Sequence, residues 1–288
     1  MKQLLLIMSA VLSMLNMHAQ MEKSERYTRG WSKLQEIDGE AGENVVNNLG
    51  IISPDLARFI IEYSFGDVYS LNFLNNKSKE IAAVSSLIAQ GATPPQLKVH
   101  LNGALNSGCL ITEVKEIILQ MSVYTGFPGS INAMNTFQEV LNERKNKGIN
   151  DLAGSITNQE TDSLSRYSKG AEALSLLDSL QVQHMEKAYR DFSPELVQFT
   201  LEYAFADIHS RKGLEKKYRQ IATVAALATL GNAPSQLKFH ISGALNVGVT
   251  GGDEIKEVML LMTVYAGFPA AINGTNILRE VMDERSDK

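Results

Sequence analysis

Cysteine is almost missing from this chain: Cys109 is the only one in 288 residues. A lone thiol closes no disulfide within a chain, so neither a disulfide scaffold nor a paired-cysteine redox motif is available. Cys109 has Val249 as its counterpart in the repeat described below, which suits a small packing residue. The five histidines stand at 18, 100, 184, 209 and 240, never three or four apart, so no zinc motif is present and no metal site is expected. Lysine and arginine are scattered and the net charge is -5, which argues against nucleic acid or an anionic membrane surface as a partner. No phosphate loop, dinucleotide fingerprint or nucleophile elbow occurs, and no cofactor is expected.

What the chain does contain, it contains twice. PPQLKVHLNGALNSG, residues 94–108, returns 140 positions later as PSQLKFHISGALNVG, with ten of fifteen positions identical. Such self-similarity is the mark of an internal duplication. The copies run from about Tyr27 to Arg144 and from Tyr167 to Arg285, and one extra residue in VTGGDE against CLITE shifts the offset to 141. The polar stretch 146–163 reads as a linker between domains at 20–145 and 164–288. MKQLLLIMSAVLSMLNMHAQ has the lysine, apolar run and small residue of a secretory signal peptide. Cleavage after Ala19 and export to the periplasm are therefore expected, leaving a chain with no membrane attachment.

The apolar spacing is helical throughout and the expected class is all-α. Val114, Ile117, Ile118, Met121 and Tyr124 follow a three-and-four rhythm that Ile255, Val258, Met259, Met262 and Tyr265 repeat. Tyr-Thr-Gly-Phe-Pro and Tyr-Ala-Gly-Phe-Pro should end these helices. Others should begin at Pro94 and Pro234 and end near Gly108 and Gly248. SPDLARFIIEYSFGDVYS and SPELVQFTLEYAFADIHS also read as helices entered through Ser-Pro, and Thr250 with Asp253 resembles a capping box.

Chemistry should lie where the copies agree. Gln96, His100 and Ala104 are spaced by four on one helix face beside Gly103, as are Gln236, His240 and Ala244 beside Gly243. A histidine among small residues can meet a ligand or a second helix, although single helical histidines are more often structural. Glu80, one helix earlier, could orient an imidazole or exchange protons with it; Gln220 replaces it in the second copy and cannot titrate. Asp67 and Asp207, in the aromatic-rich FGDVYS and FADIHS, are candidate substrate-binding residues. Tyr124 and Tyr265 could offer a phenol to a pocket or lock the turn that follows them. Glu116 and Glu257 read as solvated residues of a first helical turn.

Gln-Leu-Lys-x-His, Gly-Ala-Leu-Asn-x-Gly, Glu-x-Lys-Glu and Tyr-x-Gly-Phe-Pro, in that order in both copies, resemble the carboxymuconolactone decarboxylase family, which includes the AhpD-like alkylhydroperoxidases. The resemblance implies two AhpD-like helical domains packed as an intramolecular pseudo-dimer, with higher homo-oligomers compatible. The peroxidase branch places cysteines seven and four residues before the histidine; here Thr93 and Gln96, and Ala233 and Gln236, stand there, so the peroxiredoxin-type cycle lacks its thiols. The decarboxylase branch keeps the histidine without the cysteines. It implies a cofactor-free lyase or isomerase acting on a small carboxylated lactone or related acid, with His100 and His240 as catalytic acids and Glu80 orienting His100. Gln96, Gln236, Gln220, Asp67, Asp207, Tyr124 and Tyr265 are the expected substrate contacts. An oxidoreductase accessory using a partly exposed Cys109, and a binding module without turnover, are the alternatives.

Overall fold

The structure, a computed structural model, describes residues 24–91, 93–155 and 164–287. The expected signal segment and residues 156–163 of the expected linker lie outside the described residues. Within them the chain is helical throughout. The first copy comprises α1 (Glu25–Ile37), α2 (Gly39–Ile52), α3 (Pro54–Phe59), a π-helix (Ile60–Val68), α4 (Asn76–Gln90), α5 (Pro94–Asn106) and α6 (Ile111–Asn146). The second comprises α7 (Arg166–Ser175), α8 (Gln181–Tyr189), α9 (Pro194–Phe199), a π-helix (Thr200–His209), α10 (Lys216–Leu230), α11 (Pro234–Asn246), α12 (Gly252–Tyr265) and α13 (Phe268–Ser286).

Local sequence explains most boundaries. Pro94 and Pro234 open α5 and α11, where a missing N–H leaves no helical bond unmade. The Gly-Phe-Pro punctuation acts in both copies, because Gly126 and Gly267 take φ of 77° and 87°. In the first copy the helical run resumes at once, so α6 continues through a break at Gly126, while α12 and α13 are separate. The start of α12 differs from expectation: Glu254, not Asp253, receives the Thr250 N–H, at 2.6 Å. The Ser-Pro segments begin as α-helices and then widen to the π form, with Tyr69 N–H bonding Ser64 C=O and Ser210 N–H bonding Phe205 C=O, both at 2.8 Å.

At the centre α4 lies along α10, flanked by α6 and α12. Residues 78–88 of α4 and 218–228 of α10 are buried on every side, which fits helices enclosed by others. Ala82, Ala83, Ser85 and Ser86, and Ala222, Thr223, Ala225 and Ala226, keep the facing surfaces small. Both copies contribute to one apolar core, so the domains share an interior as the pseudo-dimer reading requires.

Two buried ion pairs fasten the copies across this axis in matching positions. Lys79 binds Glu257 at 3.1 Å, and Arg219 binds Glu116 at 2.8 Å, with Arg211 adding a second arginine to Glu116. Burial opposes ionisation of Glu116, yet the hydrogen bonds from both arginines outweigh it and hold the carboxyl below its usual range. Glu116 and Glu257 are therefore not solvated: each is under a twentieth exposed and reaches into the other copy. None of the described helices is long and apolar enough to cross a membrane.

Candidate active site

His100 is buried on α5 facing α4, and its Nδ1 lies 3.0 Å from Glu80 Oε2. The other carboxylate oxygen, Oε1, accepts from the Tyr69 hydroxyl at 2.8 Å. Tyr69 in turn hydrogen-bonds the phenol of Tyr265, which stands 3.2 Å from His100 Nε2. The four side chains form a closed ring. Its donors run one way without conflict when His100 is cationic: both imidazole N–H groups donate, Tyr265 passes its proton towards Tyr69, and Tyr69 donates to Glu80. Tyr265 belongs to the second copy, so the first site is completed by its neighbour.

Asp38, at the end of α1, joins this ring from outside. Its Oδ1 is buried without a hydrogen-bond partner among the described residues and lies 4.0 Å from His100 Nδ1. Burial raises the Asp38 carboxyl to about 7, with the His100 charge opposing and the Glu80 charge adding to the rise. For His100, burial alone would favour the neutral ring, but the charges of Glu80 and Asp38 and the Glu80 hydrogen bond prevail and raise it to about 9. Burial, then the Glu80 charge, holds both phenols well above their ordinary value. Donor atoms of Asp38, Glu80 and His100 lie within 4.8 Å of one another, so a metal ion could bridge them only by displacing the proton that His100 Nδ1 shares with Glu80.

This gathering of carboxylates depends on Gly103. A Cβ there would fall 2.6 Å from Glu80 Oε2 and 2.7 Å from Asp38 Oδ1. The ring borders a cavity of about 320 Å³ whose walls are largely apolar, including Leu34, Val46, Phe65 and Val264, with Gln96 beside His100.

The second site repeats the frame with different chemistry. His240 Nδ1 lies 2.9 Å from Gln220 Oε1, and Tyr124 of the first copy approaches His240 Nε2 at 3.3 Å and His209 Nε2 at 2.8 Å. His209 takes the place of Tyr69. Asp178, the counterpart of Asp38, turns to the surface and accepts from the Leu180 N–H at 2.9 Å. Among the described residues no carboxylate compensates for burial here, so His240 is pushed down to about 3 and His209 well below its ordinary value. One site holds an imidazolium against carboxylate; the other holds two neutral imidazoles.

Several expected contacts lie elsewhere. Asp67 and Asp207 are at the surface, each gripped by an arginine of its own copy, Arg26 and Arg166. The π-helical turn carries them outward and brings Tyr69 and His209, two residues on, inward. Gln236 is exposed, and so is Gln96 apart from the edge that it gives to the first cavity. Cys109 is buried and its thiol is pushed up to about 12, chiefly by burial, which removes the basis for an exposed redox cysteine. Asp38, Tyr69 and His209 were not among the sequence candidates. For Asp38 the signal was recurrence as Asp178 at the same offset as the histidines; Tyr69 and His209 occupy equivalent positions but differ in type, which left no such signal.

A 4-carboxymuconolactone decarboxylase of Acinetobacter baylyi is 32% identical over 124 residues, 43% of this chain and 92% of that protein. A nitrosuccinic acid decarboxylase of Metarhizium robertsii is 30% identical over 112 residues, 39% of this chain and 78% of that one. Each alignment is about one copy long. Peroxisomal protein 2 of Saccharomyces cerevisiae is 28% identical over 109 residues, 36% of this chain and 38% of its own length. The carboxymuconolactone decarboxylase family profile matches residues 54–139 and again 194–280, more than half of the chain. The chain therefore belongs to the carboxymuconolactone decarboxylase family and carries its domain twice.

Proposed function

We propose that the first-copy site is a decarboxylase centre acting on a small carboxylated lactone or related acid. The observation that carries this reading is the closed Glu80–His100–Tyr265–Tyr69 ring beside a small, mainly apolar cavity. Loss of carbon dioxide breaks a carbon–carbon bond and leaves its electron pair on the substrate, delocalised into an adjacent carbonyl as an enolate. The reaction needs a cationic donor near that charge and then a proton on carbon. His100 supplies both in this scheme, giving up the Nε2 proton, and Glu80 is its positioning residue. An apolar cavity helps by making the departing carboxylate costly to keep and the neutral carbon dioxide easy to release. The decarboxylase names of the two relatives support the reaction class.

The second site reads as a binding site without turnover, because a neutral His240 beside Gln220 offers no acid at neutral pH. Carbon dioxide release from carboxymuconolactone and from nitrosuccinate tests both assignments. His100→Gln should abolish release and His240→Gln should leave most of it. Full activity in His100→Gln would refute the proposal.

A further inference from the structure

Equivalent positions of the two copies differ in bulk outside the second site. Aligned at the offset of 140, Ala171, Ala173 and Leu176 stand where the first copy has Trp31, Lys33 and Glu36. In the first copy that space is occupied: Trp31 stacks on Tyr27, Lys33 binds Glu36 at 2.8 Å, and Glu36 accepts from Asn76 at 2.7 Å. In the second, removal of those side chains leaves a cavity of about 720 Å³ that reaches His209 and Gln220. This is not the first-copy cavity, and it opens between different elements.

Its charge has changed with its size. Four basic residues, Lys169, Lys212, Lys216 and Arg219, line it against one acid, Glu172. The same positions in the first copy hold three basic and two acidic residues, because Asn72 and Asn76 stand there in place of Lys212 and Lys216, and Glu36 and Glu80 in place of Leu176 and Gln220. Arg219 lines the wall and is buried, and its Nε–H has no acceptor among the described residues. Its guanidinium is held by Glu116 and Gln120, so it closes the wall, and the charge open to the cavity is that of the lysines. The apolar part of the wall, Ala171, Ala173, Leu176 and Leu177, suits a short carbon skeleton.

We propose that this cavity binds a small organic carboxylate, its charge met by Lys169 and Lys216 and its carbon body by the alanines and Leu176. The site is separate from the first-copy centre and stands whether or not that centre is a decarboxylase. Because Gln220 and His209 face both the cavity and the His240 network, occupancy is felt at the second site.

Calorimetric titration of the full chain with succinate tests this, with inorganic phosphate and butane-1,4-diol as comparison probes. Saturable succinate binding is expected, with the diol silent. Ala171→Trp refills the cavity with the residue that the first copy already accommodates, and Leu176→Glu restores the lost acid at a half-exposed position. Each should weaken succinate at least tenfold, while His100→Gln should not. Four results would overturn the proposal: no succinate binding to the unaltered chain, undiminished binding in Leu176→Glu, loss of binding in His100→Gln, or binding of phosphate without succinate.

Discussion

The phenol of Tyr265 stands 3.2 Å from His100 Nε2 across 165 residues of sequence, and Tyr124 makes the reciprocal approach to His240 at 3.3 Å. Each histidine is thus served by the other copy's tyrosine. Removing the Tyr265 hydroxyl opens the ring and leaves the Nε2 proton undirected. Tyr265→Phe is expected to lower kcat about 100-fold, within the usual range for a lost acid–base group. Tyr124→Phe should change it less than about threefold, in line with a second site that does not turn over. Steady-state decarboxylation rates of the two variants provide the comparison.

The two imidazoles form an internal experiment on charge. With His100 raised to about 9, turnover should fall as pH rises through about 9, where its donor proton is lost. The folded value lies above the ordinary 6.5, so the stability that this group contributes is complete below 6.5 and lost as pH climbs through about 9. His240, lowered to about 3, has the opposite sign: its contribution is complete above 6.5 and is lost as pH falls towards about 3. Glu80→Gln should bring the His100 titration down, and Gln220→Glu should raise that of His240. Imidazole shifts followed by NMR would show both; unmoved titrations would mean that the carboxylate is not the controlling charge.

Lys79 and Glu257 offer a test of how tightly the copies are joined. Glu257→Gln leaves a buried ammonium without its counter-charge, and such broken pairs cost about 3–5 kcal/mol. Glu257 also accepts the backbone N–H groups of Phe73 and Leu74, at 2.7 and 3.1 Å, and one amide oxygen cannot replace all three contacts. Urea denaturation of the full chain should show the loss. Replacing Lys79 by Met in the same chain should recover a good part of it, since the stranded charge is then gone.

Gly103 and Gly243 should differ in their tolerance of a methyl group. At Gly103 the new carbon meets carboxylate oxygens at 2.6 and 2.7 Å, whereas at Gly243 the nearest atom is Leu177 Cβ at 3.1 Å. Gly103→Ala is expected to reduce activity at least about 100-fold by displacing Glu80, an effect typical of disturbed catalytic geometry. Gly243→Ala should leave activity intact and cost no more than about 1 kcal/mol in thermal unfolding.

The fold was readable because its signals are local. Pro94, Pro234 and the two Gly-Phe-Pro turns mark helix ends by what those residues cannot do, and α6 and α12 follow from apolar spacing alone. The pairing of each histidine with position 80 or 220 follows from repetition of both at the same separation. Two things were hidden. Asp67 and Asp207 were favoured for their buried neighbours, but the π-helix has more residues per turn than the α-helix and shifts which side chain faces inward, so Tyr69 and His209 arrive there instead. Glu116 and Glu257 look solvated from their own helices, because their arginine and lysine partners lie in the other copy about 100 to 180 residues away.

Had two separate identical chains exchanged their tyrosines in this way, any substitution would have struck both sites together, and a replacement of Glu80 by glutamine would have silenced the whole assembly. Joined in one polypeptide, the sites became independently heritable. Gln220 and His209 can then stand in one half while the other half has Glu80 and Tyr69 and borrows Tyr265 from its neighbour. The fusion therefore ties Tyr265 to a site other than that of its own copy: it stands in the second copy, yet the ring that it completes is the first copy's.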